Sequence, residues 1–300
     1  MSPRSSRRAG PGRGARAEGV GPDARAARDP RDLPIGVFDS GIGGLTVVRA
    51  LRRLLPDEAI LFFGDTARVP YGPKSAETVR RFALEDAGFL VSRGVKMIVV
   101  ACNTVSSVAL PDLVRRVPHP VVGVVEPGAR AAAAGSRSGR IGVIGTRGTV
   151  ASEAYPKSIR ARRPDARVEQ AACPLFVPLV EEGWTMGPVA LAVAREYLEP
   201  LRASGIDTLV LGCTHYPLLA AVIASVMGAG VTLVDTAEET ARDVRDLLAA
   251  RDLAASRRGE DRFVVSDIPH RFEDEARAFL GEALPRVERV GVEDLEEVGL

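Results

Sequence analysis

Two of the three cysteines in this chain of 300 residues close apolar runs, a setting in which a thiol can do chemistry. Met97 to Val105 reads Met-Ile-Val-Val-Ala-Cys-Asn-Thr-Val, and Thr208 to His215 reads Thr-Leu-Val-Leu-Gly-Cys-Thr-His. An uninterrupted apolar run with β-branched members suits a strand buried on both faces of a parallel sheet. The small polar residues that follow belong at the carboxyl edge of such a sheet, where open α/β folds bind ligands. A helix is expected from near Val105, and a helix N-terminus favours thiolate, lowering such cysteines from about 8.5 to ~3.5–7.5. Taken alone, either cysteine can equally be an inert core residue.

The pattern recurs, and that favours chemistry. Cys213 follows Cys102 by 111 positions (213 − 102), and Ile141 to Arg147 resembles Ile35 to Gly41 at an offset of 106 (141 − 35). Val231 to Asp235 resembles Val121 to Glu126 at an offset of 110 (231 − 121). Three strand-end motifs in one order at nearly one offset imply an internal duplication, with a period too long for a solenoid. Two similar lobes, each offering a cysteine at a strand end, are expected.

The elements that must position these thiols follow in order. Ile35 to Phe38 reads as a short buried strand, and Asp39-Ser40-Gly41-Ile42-Gly43-Gly44 as a tight turn. Leu45, Val48, Leu51 and Leu54 mark a packed helix that Pro56 follows. Glycines let the backbone approach a ligand, and the helix N-terminus favours an anion. The Rossmann spacing and a Walker lysine are both absent, so a carboxylate ligand is the more economical expectation than a nucleotide. Ile60 to Phe63 is the next strand, and the loop Arg68 to Pro73 can present Tyr71 rigidly or serve as a plain turn. A helix from Ser75 to about Ser92 precedes the Cys102 strand, and Val121 to Val125 follows as a strand. Glu126-Pro127-Gly128 reads as a crossing between lobes.

In the second lobe, strands are expected at Ile141 to Ile144 and Val168 to Ala172, with Gly145 to Thr149 offering hydroxyls and N–H groups at a strand end. A long helix over Met186 to Leu201 precedes the Cys213 strand, and another follows Asp235 from Ala237 to about Ala250. Phe263 to Val265 is a late strand and Phe272 to Leu280 a late helix. Trp184 is expected as packing or a loop anchor, and His119 and His270 as surface residues.

Composition bounds the alternatives. Lysine plus arginine (40) balances aspartate plus glutamate (39), so overall charge argues for neither nucleic acid nor membrane. Three cysteines without paired spacing indicate neither a disulfide framework nor a metal site, and fit a reduced, cytoplasmic protein. No apolar stretch approaches the ~18 residues that span a bilayer. Residues 1–33, rich in arginine, alanine, glycine and proline, carry no hydrophobic period and are expected to be disordered.

Four motifs together resemble one family. Asp39-Ser40-Gly41-Ile42-Gly43-Gly44-Leu45, Pro70-Tyr71-Gly72, Cys102-Asn103-Thr104 and Cys213-Thr214-His215-Tyr216-Pro217 stand in the order found in glutamate racemases, of the cofactor-independent aspartate/glutamate racemase superfamily. The likeness covers residues 34 to about 285. It implies an α/β fold of two pseudo-symmetric flavodoxin-like, doubly wound lobes, with the active site in the cleft between them. The lobes would comprise residues 34–126 with 236–300, and residues 127–235. It further implies that no cofactor or metal is needed and that D-glutamate is supplied to peptidoglycan.

By the same resemblance, Cys102 would take the proton from D-glutamate and Cys213 from L-glutamate. Asp39 and His215 match their polar partners, and Glu181 a carboxylate near His215. Ser40, Tyr71, Gly72, Asn103, Thr104, Thr149 and Thr214 match substrate-binding positions, as Asp39 and His215 also do; Thr146 and Glu182 are neighbours with a claim to the site. A homodimer is compatible with the resemblance, and nothing in the arginine-rich tail matches the activator-linked extension of some members. The chemistry agrees from below. Racemisation removes the Cα proton on one face and delivers one on the other, so two acid/base groups on opposite sides are the simple solution. The alternatives are a related two-thiol racemase or isomerase acting on aspartate, a hydantoin or maleate, and, more distantly, a two-lobed small-ligand-binding protein. A thiol redox protein lacks its C-x-x-C.

Overall fold

The apolar runs around both cysteines become interior strands of two parallel sheets in the computed structural model, which describes residues 29–268, 272–284 and 286–300. The strands are β1 (Ile35–Asp39), β2 (Ile60–Gly64), β3 (Met97–Val100), β4 (Val121–Gly123), β5 (Arg140–Gly145), β6 (Arg167–Ala172), β7 (Thr208–Gly212), β8 (Thr232–Asp235), β9 (Arg262–Val265) and β10 (Val287–Arg289). The first sheet runs β10-β9-β2-β1-β3-β4 and the second β6-β5-β7-β8. Four strands of the first sheet, β2-β1-β3-β4, thus share the order of the whole second sheet. The duplication in sequence is a duplication of strand order, and the fold is α/β with parallel sheets.

Helices cover the strands, which is why β1, β2, β3 and β7 are buried along their whole length. The helix Leu45–Leu54 buries Leu45, Val48 and Leu51, each worth ~1.5–3 kcal/mol relative to exposure. Leu54, at its end, is half-buried. The helix Ala76–Ser92 starts at Ser75, whose side chain accepts from the Thr78 N–H and caps the first turn. It buries Val79, Phe82, Ala83, Phe89 and Leu90, and also Glu85 and Asp86.

Several expectations need correction. Structure begins before Pro34: Pro30–Asp32 forms a 3-10 turn capped by Asp29, and Lys96 Nζ donates to the Arg31 carbonyl at 2.7 Å. A buried ammonium needs such acceptors, which local composition does not reveal. Residues 1–28 and His270 lie outside the described residues. Glu126-Pro127-Gly128, read from sequence as a crossing between lobes, forms the first turn of the helix Val125–Gly135. Proline fits there because a first-turn N–H has no intrahelical partner to lose. The short strand β10 and the helix Val292–Glu297 carried no periodic signal. The Trp184 side chain is 55 % exposed, so it does not pack; its backbone N–H donates to the Leu179 carbonyl at 2.7 Å. His119 is half-buried ahead of β4. Among the described residues no helix is long and apolar enough to cross a membrane.

Candidate active site

In each sheet the strand order reverses beside the central strand, and ligands of open α/β sheets bind at that switch point, beyond the carboxyl ends. In the first sheet the point falls between β1 and β3, paired in parallel with Phe38 opposite Val100. That pairing brings Asp39, at the end of β1, beside Cys102, just past β3. Cys102 is the N-cap of the helix Asn103–Val108, and its Sγ donates to Ser40 Oγ at 3.5 Å. Burial pushes its pKa up to about 12, and the Asp39 carboxylate adds to the shift. The helix-end effect anticipated from sequence is outweighed, because desolvation of a sulfur anion opposes it.

Asp39 sits under the glycine-rich turn. Its Oδ2 accepts from the N–H groups of Gly41 at 3.2 Å and Gly44 at 3.0 Å. A Cβ on Gly44 would come within 2.5 Å of Asp39 Cβ, so only glycine lets the turn close over the carboxylate. Burial raises the Asp39 pKa to about 6, against the His215 charge and the backbone donors, which lower it.

The second corner is built differently. Cys213 follows β7, and its Sγ lies 3.9 Å from His215 Nδ1, which is also 3.3 Å from Thr214 Oγ1. His215 Nε2 faces Glu181 Oε1 at 3.2 Å. Glu181 ends the helix Phe176–Glu181. Burial works against a charged imidazole here, but the bonds to Cys213 and Glu181 prevail and raise the His215 pKa to about 10. The Phe279 ring packs nearly edge-to-face on the imidazole, centroids 4.9 Å apart.

One cavity of 280 Å³ joins the corners, small-molecule size near the lower end of the ~300–1,000 Å³ usual for ligand pockets. Cys102, Cys213, His215, Glu181, Ser40, Tyr71, Gly72, Asn103, Thr104 and Thr214 all line it. Asp39 and Thr149 lie behind the lining, 1 % and 0 % exposed. Thr104, Thr146 and Thr149 form a hydroxyl cluster between the two halves, with Oγ1 separations of 2.9, 3.1 and 3.4 Å. The Gly148 N–H donates to the Gly72 carbonyl at 3.0 Å, a second bond between the halves. Asn103 accepts from the Tyr155 hydroxyl at 2.6 Å. Among the described residues its Nδ2 is buried without a protein acceptor, as Asp39 Oδ1 is without a donor.

Thr146 and Glu182, left open by the sequence, both line the cavity. Ile42, Thr66 and Glu275 line it too and were missed. Ile42 lies inside the glycine-rich motif, which was the available signal; Glu275 comes from a distant helix and had none. Also missed is the support beneath the Tyr71 loop. Arg68 pairs with Asp65, Glu85 and Asp86 at once, and the Tyr71 hydroxyl lies between Asp65 and Asp86. Burial and the adjacent Asp65 carboxylate hold the Asp86 pKa far above the usual carboxylate range. Tyr71 therefore lines the cavity with its hydroxyl already engaged.

Comparison with known proteins agrees with this geometry. Residues 35–244 match the Asp/Glu/Hydantoin racemase family. The glutamate racemase of Geobacter metallireducens is 55% identical over 265 residues, covering 88% of this chain and 98% of its own. The crystal structure of the Thermus thermophilus glutamate racemase in complex with beta-chloro-D-alanine is 53% identical, with a TM-score of 0.81 over 89% of this chain and 100% of that one. The Francisella tularensis enzyme in complex with D-glutamate is 39% identical, with a TM-score of 0.82 over 87% and 98% of the two chains.

Proposed function

The chain belongs to the glutamate racemases of the Asp/Glu/hydantoin racemase family, and from that premise we propose that Cys102 and Cys213 racemise glutamate as opposed acid and base. The observation that carries the proposal is a single small cavity lined by both strand-end thiols, one from each sheet. In one direction the Cys213 thiolate removes the Cα proton of L-glutamate and becomes a thiol. The Cys102 thiol then protonates the opposite face and becomes the thiolate. The reverse direction exchanges the roles, and net charge is conserved throughout.

Polar partners divide the work. The imidazolium of His215, steadied by Glu181, places positive charge beside the Cys213 sulfur, where it stabilises a thiolate. Buried Asp39 disfavours negative charge on Cys102 and keeps it a proton donor until the carbanion forms. Asn103 Nδ2 and the hydroxyls of Ser40, Thr104 and Thr214 offer donors to the two carboxylates of the substrate. Such preorganised donors stabilise developing charge better than water does. In this reading the two sheets are two lobes, residues 34–126 with 236–300 and residues 127–235. We also infer cytoplasmic action that supplies D-glutamate to peptidoglycan.

The test is optical: a panel of amino acids incubated with enzyme stripped of pyridoxal phosphate, flavin and metal ions. Glutamate should lose optical activity and, in deuterated water, the product enantiomer should carry deuterium at Cα. A requirement for pyridoxal phosphate would overturn the two-thiol reading, and faster racemisation of aspartate would overturn the assignment of glutamate as the physiological substrate. Growth of a depleted strain restored by D-glutamate alone would test the cell-wall role.

A further inference from the structure

His215 is held by hydrogen-bond contacts at its two ring nitrogens, to Cys213 and Thr214 at Nδ1 and to Glu181 at Nε2. Two pinned points define an axis. They leave the ring free to roll about it, and rolling changes how squarely the Nδ1–H or lone pair meets the sulfur, on which hydrogen-bond strength depends. Two residues remote in sequence restrict that roll. Phe279, 1 % exposed on the helix Phe272–Leu280, meets the imidazole at an interplanar angle of 76°. From the glycine-rich turn after β1, Gly43 lies so close that a Cβ there would come within 2.7 Å of both His215 Cε1 and Nδ1, and within 2.4 Å of Thr214 Oγ1, which itself bonds Nδ1. Gly43 is not among the glycines with positive φ, so space alone, not backbone conformation, requires the glycine.

We infer that Phe279 is a positioning residue for the half-reaction at Cys213: with Gly43 it fixes the roll of the His215 ring and hence its approach to the sulfur. The inference rests on the two-base reading above. Gly43 follows β1 and Phe279 follows β9, both strands of the first sheet, whereas Cys213 and His215 follow a strand of the second. The first sheet's neighbourhood therefore sets the geometry of the second sheet's base. Phe279 is not among the residues that line the cavity, so its role is positioning and not catalytic.

Direction-resolved isotope effects test this, because they separate the two proton transfers. Through a carbanion, L-glutamate loses its deuterium at Cys213 and D-glutamate loses its deuterium at Cys102. Phe279→Leu should lower turnover about tenfold to a hundredfold, as small misplacements of reacting groups do. The primary isotope effect on kcat/KM should rise for Cα-deuterated L-glutamate and fall toward unity for the deuterated D enantiomer, since the Cys213 transfer becomes the dominant barrier. Gly43→Ala, a single added methyl group, should likewise raise the effect for L-glutamate and lower it for D-glutamate, and supplies the readout should Phe279→Leu fold poorly by circular dichroism. Phe272→Leu, on the same helix but without the ring contact, should leave both isotope effects where they were. Isotope effects that stay fixed, or that move together, in the Phe279 and Gly43 variants would overturn the inference. So would an equal shift in Phe272→Leu. Cys213→Ser in the same assay separates the failures. Near-normal turnover there sinks the two-base reading, whereas an inactive Cys213→Ser with unmoved Phe279→Leu effects sinks the positioning role alone.

Discussion

Cys102 and Cys213 stand at equivalent strand ends, yet their surroundings have little in common. At the repeat offset of 106, Asp39 at the end of β1 corresponds to Gly145 at the end of β5; at 111, His215 corresponds to Thr104. Each half thus kept one ionisable partner where the other half has a residue that does not ionise. The first corner takes its partner from a neighbouring strand, as a buried carboxylate with a raised pKa. The second takes its partner from the same loop, as a buried imidazole with a raised pKa. Shared topology places two sulfurs; divergence at single positions gives one a buried carboxylate for a neighbour and the other an imidazole.

The strongest way to break this comparison is to remove either sulfur. Cys102→Ser and Cys213→Ser should each lower racemisation from both enantiomers by roughly 10²–10⁴-fold, the usual worth of a positioned acid or base. Circular dichroism should be unchanged, since the replacement is nearly isosteric. If one variant turned over glutamate at close to the wild-type rate, the corners would not be the two halves of one reaction.

Next in size are the partners. Asp39→Asn and His215→Asn should each cost roughly tenfold to a hundredfold, less than loss of the sulfur because they act through it. Primary isotope effects should move oppositely in the two variants, rising for D-glutamate in Asp39→Asn and for L-glutamate in His215→Asn. Identical profiles would dissolve the distinction between the corners. Glu181→Gln should cost less, about tenfold at most, because the Glu181 side chain is 40 % exposed and water competes for its bond to His215. Stopped assays from each enantiomer would rank the three.

The smallest expected effect lies in stability against pH, and it sharpens the comparison further. Both partners have folded pKa values above their unfolded ones, so each contribution is full below the unfolded value and is lost as pH rises through the folded one. For Asp39, burial raises the pKa from 3.8 to about 6. Its contribution therefore falls between those values, and Asp39→Asn should abolish that fall in Tm. For His215, burial is overcome by the bonds to Cys213 and Glu181, and the pKa rises from 6.5 to about 10. His215→Asn should lower Tm most near pH 6 and progressively less toward about 10. Thermal scans from pH 3.5 to 10 should show two windows that do not overlap, and a common window would contradict the assignment.

Much of this protein is legible without coordinates, for physical reasons that are local. A buried parallel strand is apolar nearly throughout, so Met97 to Ala101 and Leu209 to Gly212 announce themselves and place both cysteines at strand ends. A turn that closes over a carboxylate needs glycine, so Asp39 to Gly44 stands out as well. His215 lies two residues from Cys213, and its partnership with that sulfur is confined to one loop. Tertiary structure alone decided the rest. That Asp39 adjoins Cys102 depends on β1 pairing with β3 across some sixty residues of chain. That Thr146 bonds Thr104, and that Gly43 and Phe279 enclose His215, depends on how the two sheets face each other. The placement of β9 and β10 beside β2, and the burial of Arg68 among three carboxylates, arise the same way. Hydrophobic period reports which face of an element is buried, but not which residue of another element will meet it.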